Sequence, residues 1–344
     1  MTAVNKSKCR WAALGLAVAF GALAGWPAGA LADLAGRIAA AAPGATLQLA
    51  PGVHRGPVVV DRPLTVAGGE GVVIEGDGAS SVITVDAPDV TLRGLTVRGS
   101  GLSLTDMHAG IVLTGAATGA RVEANRLEDN LIGVHIDGAA DAVVKGNTIL
   151  GRQDLRLNER GNGVYLWNAP GAVVEDNLIR HGRDGIFTTT SRNNRFTGNR
   201  FEDLRFAIHY MYTNDSLVQG NESVGNHVGY ALMYSERIRV LDNLSRGARD
   251  HGLLFNYANH ATVRGNEVLD GGEKCVFIYN SNFGRFEGNR FQGCGIGIHF
   301  TAGSERNAMV GNAFVGNRTQ VKYVGTRRLV WSEDGRGNYW SDHA

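Results

Sequence analysis

Residues 185–243 read GIFTTTSRNNRFTGNRFEDLRFAIHYMYTNDSLVQGNESVGNHVGYALMYSERIRVLDN. Two marks recur in that stretch. Gly185, Ala207 and Gly229 open short apolar runs, and Asn199, Asn221 and Asn243 follow them, each fourteen residues later. Followed outward, the asparagine mark takes in Asn125, Asn147, Asn177, Asn266, Asn289 and Asn312. Its successive intervals are 22, 30, 22, 22, 22, 23, 23 and 23 residues. The small-residue mark extends to Gly133, Gly163, Gly252 and Cys275, in phase with the asparagines over seven turns. A period near 22 residues, built of short strands with no helical segment, specifies a right-handed, single-stranded parallel β-helix. Leucine-rich repeats have a similar length but need a Leu-x-x-Leu-x-Leu pattern that is absent here. Each coil reads as a small residue, a strand of four or five residues, a turn, and a second strand ending near Asn. The asparagine column is scaffold: stacked Asn side chains hydrogen-bond along the axis, and Asn tolerates the left-handed backbone of a sharp corner.

Outside the regular coils, at about residues 110–325, the pattern loosens. Residues 1–32 read as a cleaved signal peptide, with Lys6, Lys8 and Arg10 before an apolar run from Trp11 to Ala24 and Ala30-Leu31-Ala32 at the cut. The mature chain, residues 33–344, is then one β-helix domain outside the cytoplasm, in a bacterial periplasm. Asp33 to Ala42 reads as a short amphipathic helix, with Leu34, Ile38 and Ala41 on one face, placed to cap the first coil. Two excursions, Ser100 to His108 and Gly151 to Arg160, interrupt the rhythm and become flanking loops. The formal net charge is +1 with no basic block, which excludes a nucleic-acid partner. Cys9 leaves with the signal. Cys275 and Cys294 remain on neighbouring coils in different columns, open to a disulfide, two buried thiols or a soft-metal site.

Function in a solenoid belongs to an outward column. Counting from the small residue, positions +1 and +3 point inward and +2 and +4 outward. Position +2 reads His135, Tyr165, Phe187, His209, Ala231, Leu254, Phe277 and His299; position +4 reads Asp137, Trp167, Thr189, Met211, Met233, Asn256 and Tyr279. A sheet face this rich in aromatic residues, Met and His, expected to be exposed, is a docking surface; His135, Tyr165, Trp167, Phe187, Phe277, Tyr279 and His299 are its partner-binding candidates. Within it, His209, Met211 and Met233 place an imidazole beside two thioethers, a set suited to Cu(I). The alternative is a face padded with methionine for a protein partner.

Many β-helices cleave or epimerise polyuronides, and Arg183-Asp184, Arg249 and Asp250-His251 offer a base and a clamp for such chemistry. A glycosidase needs paired carboxylates facing one groove, and the columns above show none. The Asp-Pro-His-Asp run of mannuronan epimerases is absent as well. The sequence therefore points away from catalysis, with a polyuronide lyase or epimerase as the alternative.

Four segments carry a more specific signal: Asp154 to Gly163 (DLRLNERGNG), Phe206 to Ser216 (FAIHYMYTNDS), Glu273 to Asn280 (EKCVFIYN) and Gly295 to Asn307 (GIGIHFTAGSERN). They resemble the NosD family, periplasmic maturation factors of nitrous oxide reductase, and the likeness runs from Ala50-Pro51-Gly52 to Gly337-Asn338-Tyr339-Trp340. The resemblance implies partners: the membrane and ATPase subunits of an ABC transporter, a copper chaperone, and the reductase whose copper–sulfur cluster is assembled. It implies a non-catalytic chain that holds copper transiently. Members of the family continue past Tyr-Trp-Ser-Asp into a further tail. The reading therefore expects a tail cut short at Ala344 and a last coil with an open, association-prone edge.

Overall fold

The computed structural model describes residues 34–343, and the expected signal segment lies outside them. From Leu34 onward the chain winds into a right-handed parallel β-helix of about 13 turns. Three parallel sheets of 12, 13 and 12 strands run along its axis. Each coil thus carries three strands, not two. The missed strand follows the asparagine, as in Arg126–Glu128, Arg200–Glu202 and Leu244–Arg246. It is only three residues long and buries a single side chain (Leu127, Phe201 or Ser245), too little for an alternation to register.

The third sheet begins at the small-residue column, and its register is the one the repeat implies. Val134, Val164, Ile186, Ile208, Tyr230, Leu253, Val276 and Ile298 stack in line and point inward. Space explains the glycines at position zero. A Cβ on Gly185 would lie 2.4 Å from Phe201 Cδ1 and 2.5 Å from the Ala207 carbonyl oxygen. Four strands of this sheet reach nine residues, Asp184–Arg192, Phe206–Asn214, Val228–Glu236 and His251–Asn259, and form its widest part.

The asparagines form a buried ladder. Asn199 donates from its backbone N–H and from Nδ2 to Asn221 Oδ1, both at 3.0 Å, and from Nδ2 to the Val174 carbonyl at 2.8 Å. Its own Oδ1 accepts from the backbone N–H of Asn177 at 3.0 Å and from Asn177 Nδ2 at 2.9 Å. The pattern repeats from Asn125 to Asn338, one member beyond the nine read from the sequence. The left-handed residue of the corner is not the asparagine but the one before it: Ala124, Asp176, Gly198, Gly220 and Asp242 all have positive φ. Glycine, and Asp among the other residues, tolerate that conformation, and the asparagine is freed to serve the ladder.

Both ends of the described solenoid are covered. The helix α1, Leu34–Ala40, buries Leu34 and Ile38 against the first coil, with Ala41 packed beside them. At the other end Tyr339–Trp340 pairs with Ala313–Val315 as a final strand, and the Trp340 ring stacks 4.5 Å from Phe314. Trp331 packs beside it, so the open edge expected at the last coil is partly closed. Cys275 and Cys294 are joined by a disulfide with a Cα–Cα distance of 5.6 Å. Both are buried in the core.

Candidate functional site

The register puts the outward columns where the count placed them. His135, Tyr165, Phe187 and His209 are direct neighbours on successive coils, as are Leu254, Phe277 and His299. Their rings stack along the axis, with centroids 5.0 Å apart for His135–Tyr165, 5.2 Å for Tyr165–Phe187, 4.8 Å for Phe187–His209 and 5.1 Å for Phe277–His299. The stripe is not the open face expected. Rings that cover one another leave mainly edges for solvent, and Phe187, Phe277, Tyr165 and His299 are each only half-buried. His135 is buried outright, 6% exposed. Met107 and Leu155, from the two excursions, pack against the same small cluster of Ala109, Leu131 and Ile132 as its stripe neighbours Val112 and Tyr165. The residues that remain exposed are Trp167 and Tyr279 in the +4 column.

His209 is the most constrained member. Its Nδ1 lies 3.1 Å from Asp184 Oδ2, a carboxylate with no solvent exposure. The same carboxylate takes two bonds from Arg205, Nε at 2.8 Å and Nη2 at 2.6 Å. Burial drives the Asp184 carboxyl upward, but the hydrogen bonds from His209 and Arg205 outweigh it and hold the group below the usual carboxylate range. An ionised carboxylate only accepts, so Nδ1 is the donor in this bond and Nε2 is the ring nitrogen left outside it. Phe187 on one side and the edge-on Phe206, 4.9 Å away, fix the ring plane. On the next coil the ring's neighbour is Ala231, a small side chain that interrupts the aromatic stack.

Two residues along the same strands, Met211 and Met233 are direct register partners, both half-buried. The register therefore places the three residues singled out for Cu(I) on one stretch of the sheet, Met211 and Met233 as direct partners and His209 two residues along the strand from Met211. That donor set fits a soft monovalent ion, and the carboxylate–histidine pairing is the outer-shell arrangement that orients metal ligands. Sequence reading weighed Asp184 only as a catalytic base. Sealed beneath Arg205 and His209, it cannot reach a substrate.

Two further features escaped the sequence reading. Tyr212, Tyr234 and Tyr257 form an exposed stack beside the methionines, with centroids 5.2 Å apart at each step. All three have positive φ, between 48° and 52°, which is strained for an aromatic residue. The second is a carboxylate pair. Asp250 and Glu273 lie in one column on adjacent coils, joined by a backbone hydrogen bond of 2.9 Å from the Glu273 N–H to the Asp250 carbonyl. The expectation that no column holds two carboxylates is thereby corrected. Extending the count to position −2 reads Arg183, Arg205, His227, Asp250 and Glu273, and would have shown it.

Comparison with known proteins follows this geometry. A family described as "NosD: Periplasmic copper-binding protein" matches residues 141–344. A protein of Stutzerimonas stutzeri named "Probable ABC transporter binding protein NosD" is 41% identical over 310 residues, covering 86% of this chain and 71% of its own length. A protein of the same name from Pseudomonas aeruginosa is 42% identical, covering 86% and 72%. Among solved structures, the A-module of the Azotobacter vinelandii mannuronan C-5 epimerase AlgE6 superposes with a TM-score of 0.55 at 17% identity, over 87% of this chain and 93% of that one. At that identity the likeness speaks to the fold alone.

Proposed function

The chain belongs to the NosD family, and on that footing we propose that it is an exported docking and handover protein for copper. In this reading residues 1–32 are a cleaved signal and residues 33–344 act in the periplasm. The chain engages the membrane and ATPase subunits of an ABC transporter and receives Cu(I) from a copper chaperone. It supports assembly of the copper–sulfur cluster of nitrous oxide reductase. Copper is cargo, held transiently by His209, Met211 and Met233. Trp167 and Tyr279, with the ring edges of Tyr165, Phe187, Phe277 and His299, form the surface that partners grip. His135 supports that surface from beneath.

The observation that carries the reading is the buried Asp184 carboxylate bonded to His209 Nδ1, beside paired methionines. A purely structural aromatic ladder has no use for an imidazole with a fixed tautomer and an available Nε2. The family's description as copper-binding and the relatives' name as ABC transporter binding proteins support the same direction.

The test is a deletion in the source organism, complemented either by the natural chain or by the His209→Ala/Met211→Ala/Met233→Ala variant, with metal analysis of the purified reductase. A reductase that is exported but lacks its copper–sulfur cluster in the deletion and with the variant supports the proposal. A fully loaded reductase in the deletion overturns the maturation role. Full loading with the variant alone overturns the copper placement.

A second reading, a polyuronide lyase or epimerase, is favoured by one observation, the Asp250–Glu273 carboxylate pair. Turnover of alginate or polygalacturonate, abolished by Asp250→Asn, would establish it. The pairing of Glu273 with the Lys274 ammonium at 3.2 Å makes that carboxylate a poor acid or base, and the handover reading is preferred.

A further inference from the structure

On three successive coils His227, Asp250 and Glu273 stand in one column, two residues ahead of the small-residue mark. The Asp250 N–H bonds to the His227 carbonyl at 2.8 Å and the Glu273 N–H to the Asp250 carbonyl at 2.9 Å, which fixes their spacing. His251 follows Asp250 and turns toward the same place. Among the described residues, one ring nitrogen of His251 and one carboxylate oxygen each from Asp250 and Glu273 lie within 4.8 Å of one another. His227 Nε2 stands 3.9 Å from Asp250 Oδ2 on the outer side.

The imidazole of His251 is the independent sign of a ligand. The residue is 7% exposed, and its Nδ1 has no hydrogen-bond partner, although Asp250 Oδ1 is 3.0 Å away outside hydrogen-bonding geometry. A buried polar atom without a partner is costly and rare, and a bound ion is one of its standard explanations.

A cation already sits at the edge of the cluster. Lys274 Nζ lies 3.2 Å from Glu273 Oε2 and 4.7 Å above the centre of the Phe277 ring. It neutralises the carboxylates as an incoming ion would, and it must swing aside for one.

We propose that Asp250, His251 and Glu273, with His227 closing the outer side, bind a borderline divalent cation of the zinc(II) or copper(II) class. Imidazole and carboxylate donors suit such ions, whereas Cu(I) prefers the thioethers toward the other end of the strands. The site is independent of the handover reading, because none of its ligands belongs to the His209, Met211 and Met233 set.

The experiment is calorimetric titration of the purified, metal-stripped chain with Zn²⁺ alone, repeated with Cu²⁺. One ion per chain is expected. Asp250→Asn and Glu273→Gln, both at partly or fully exposed positions, each weaken binding by at least about tenfold. Lys274→Met removes the competing ammonium while keeping its stem against Phe277, and tightens binding by about tenfold. The His251 ring resonances shift on Zn²⁺ addition, a signature that a merely structural role would not produce. The His209→Ala/Met211→Ala/Met233→Ala variant binds Zn²⁺ as the natural chain does. Absence of Zn²⁺ binding, or binding undiminished in the Asp250→Asn/Glu273→Gln double variant, overturns the proposal. Zn²⁺ binding lost in the His209 variant instead would place the ion at the soft set and overturn the separation of the two sites.

Discussion

Replacing Asp184 by Asn tests the arrangement around His209 at its root. The substitution keeps the shape of a side chain with no solvent exposure and removes its charge. It also exchanges one acceptor oxygen for a donor group, against three donors, Arg205 Nε, Arg205 Nη2 and His209 Nδ1. Breaking a buried ion pair costs about 3–5 kcal/mol when the surviving charge stays buried. Arg205 is 31% exposed and can turn part of its guanidinium to water. The loss should therefore fall to roughly 2–3 kcal/mol. Urea unfolding followed by circular dichroism reads it as a lowered midpoint at unchanged slope. The folded-state pKa of Asp184 lies below its unfolded value, so its stabilising contribution is complete above the unfolded pKa. It is lost as pH falls through the folded one, and Asp184→Asn should flatten that acid limb. Cu(I) affinity, measured by competition with a chromophoric chelator, should fall roughly 10–100-fold, because His209 loses the partner that sets its tautomer. Arg205→Lys is the control: it weakens the clamp on Asp184 but leaves the His209 bond, so stability drops while copper affinity holds. An Asp184→Asn chain with natural stability, or one that is folded and binds Cu(I) as tightly as before, would refute the reasoning.

Three further outcomes are expected. Asn199→Ala removes the partners of the buried Asn177 N–H and Val174 carbonyl; two orphaned groups cost roughly 2–5 kcal/mol by urea unfolding, and a loss under about 1 kcal/mol would mean the ladder is not a structural support. Burial pushes the His135 pKa below that of an ordinary imidazole, against a smaller opposing pull from Asp137. The unfolded chain then binds more protons than the folded one just below the ordinary pKa, so stability should decline from neutral toward acid pH; His135→Phe should reduce the slope in a Tm-against-pH series, and an unchanged slope would assign the effect elsewhere. Replacing Cys275 and Cys294 by alanine opens a bridge spanning 19 residues, a loss of about 3 kcal/mol from chain entropy; an unchanged urea midpoint would show that stacking alone secures those coils.

The sequence was most readable where one physical constraint repeats. The Asn199 ladder recurs every coil and the crowding that forces Gly185 on most of them, Ala207 and Cys275 excepted, so their period and phase specify the third-sheet register residue by residue, from Val134 to Ile298. The same logic placed His209, Met211 and Met233 on neighbouring positions. It fell short where a feature depends on direction in space and not on column. Asp184 reaches His209 across one coil and three residues, a diagonal that no single column contains. The burial of His135 is not written in its column, where it is 6% exposed while its neighbour Tyr165 is half-buried. The positive φ before each asparagine was misassigned because both residues of a Gly-Asn corner are left-handed formers, and only the backbone distinguishes them. The Asp250–Glu273 pair is legible in the sequence, since both sit at position −2, on the turn ahead of the outward strand positions.

A solenoid suits metal handling for a reason that lies in its geometry. Each coil is fixed to the next at the strand spacing of about 4.8 Å, so a ligand's place is set by its column and coil number and does not depend on loop closure. Here that rule keeps two donor chemistries apart on one sheet. The thioethers lie on the coils of Met211 and Met233, while the carboxylates lie on those of Asp250 and Glu273. They also occupy opposite ends of the strand, position +4 against position −2. A soft ion and a borderline ion then have no ligand in common to compete for. Because affinity order alone cannot separate divalent metals from copper in a mixed pool, spatial separation of donor types offers selectivity that binding strength does not. On the proposed copper placement, the buried carboxylate behind His209 belongs to the same logic: it would orient the imidazole without supplying a hard oxygen to the ion.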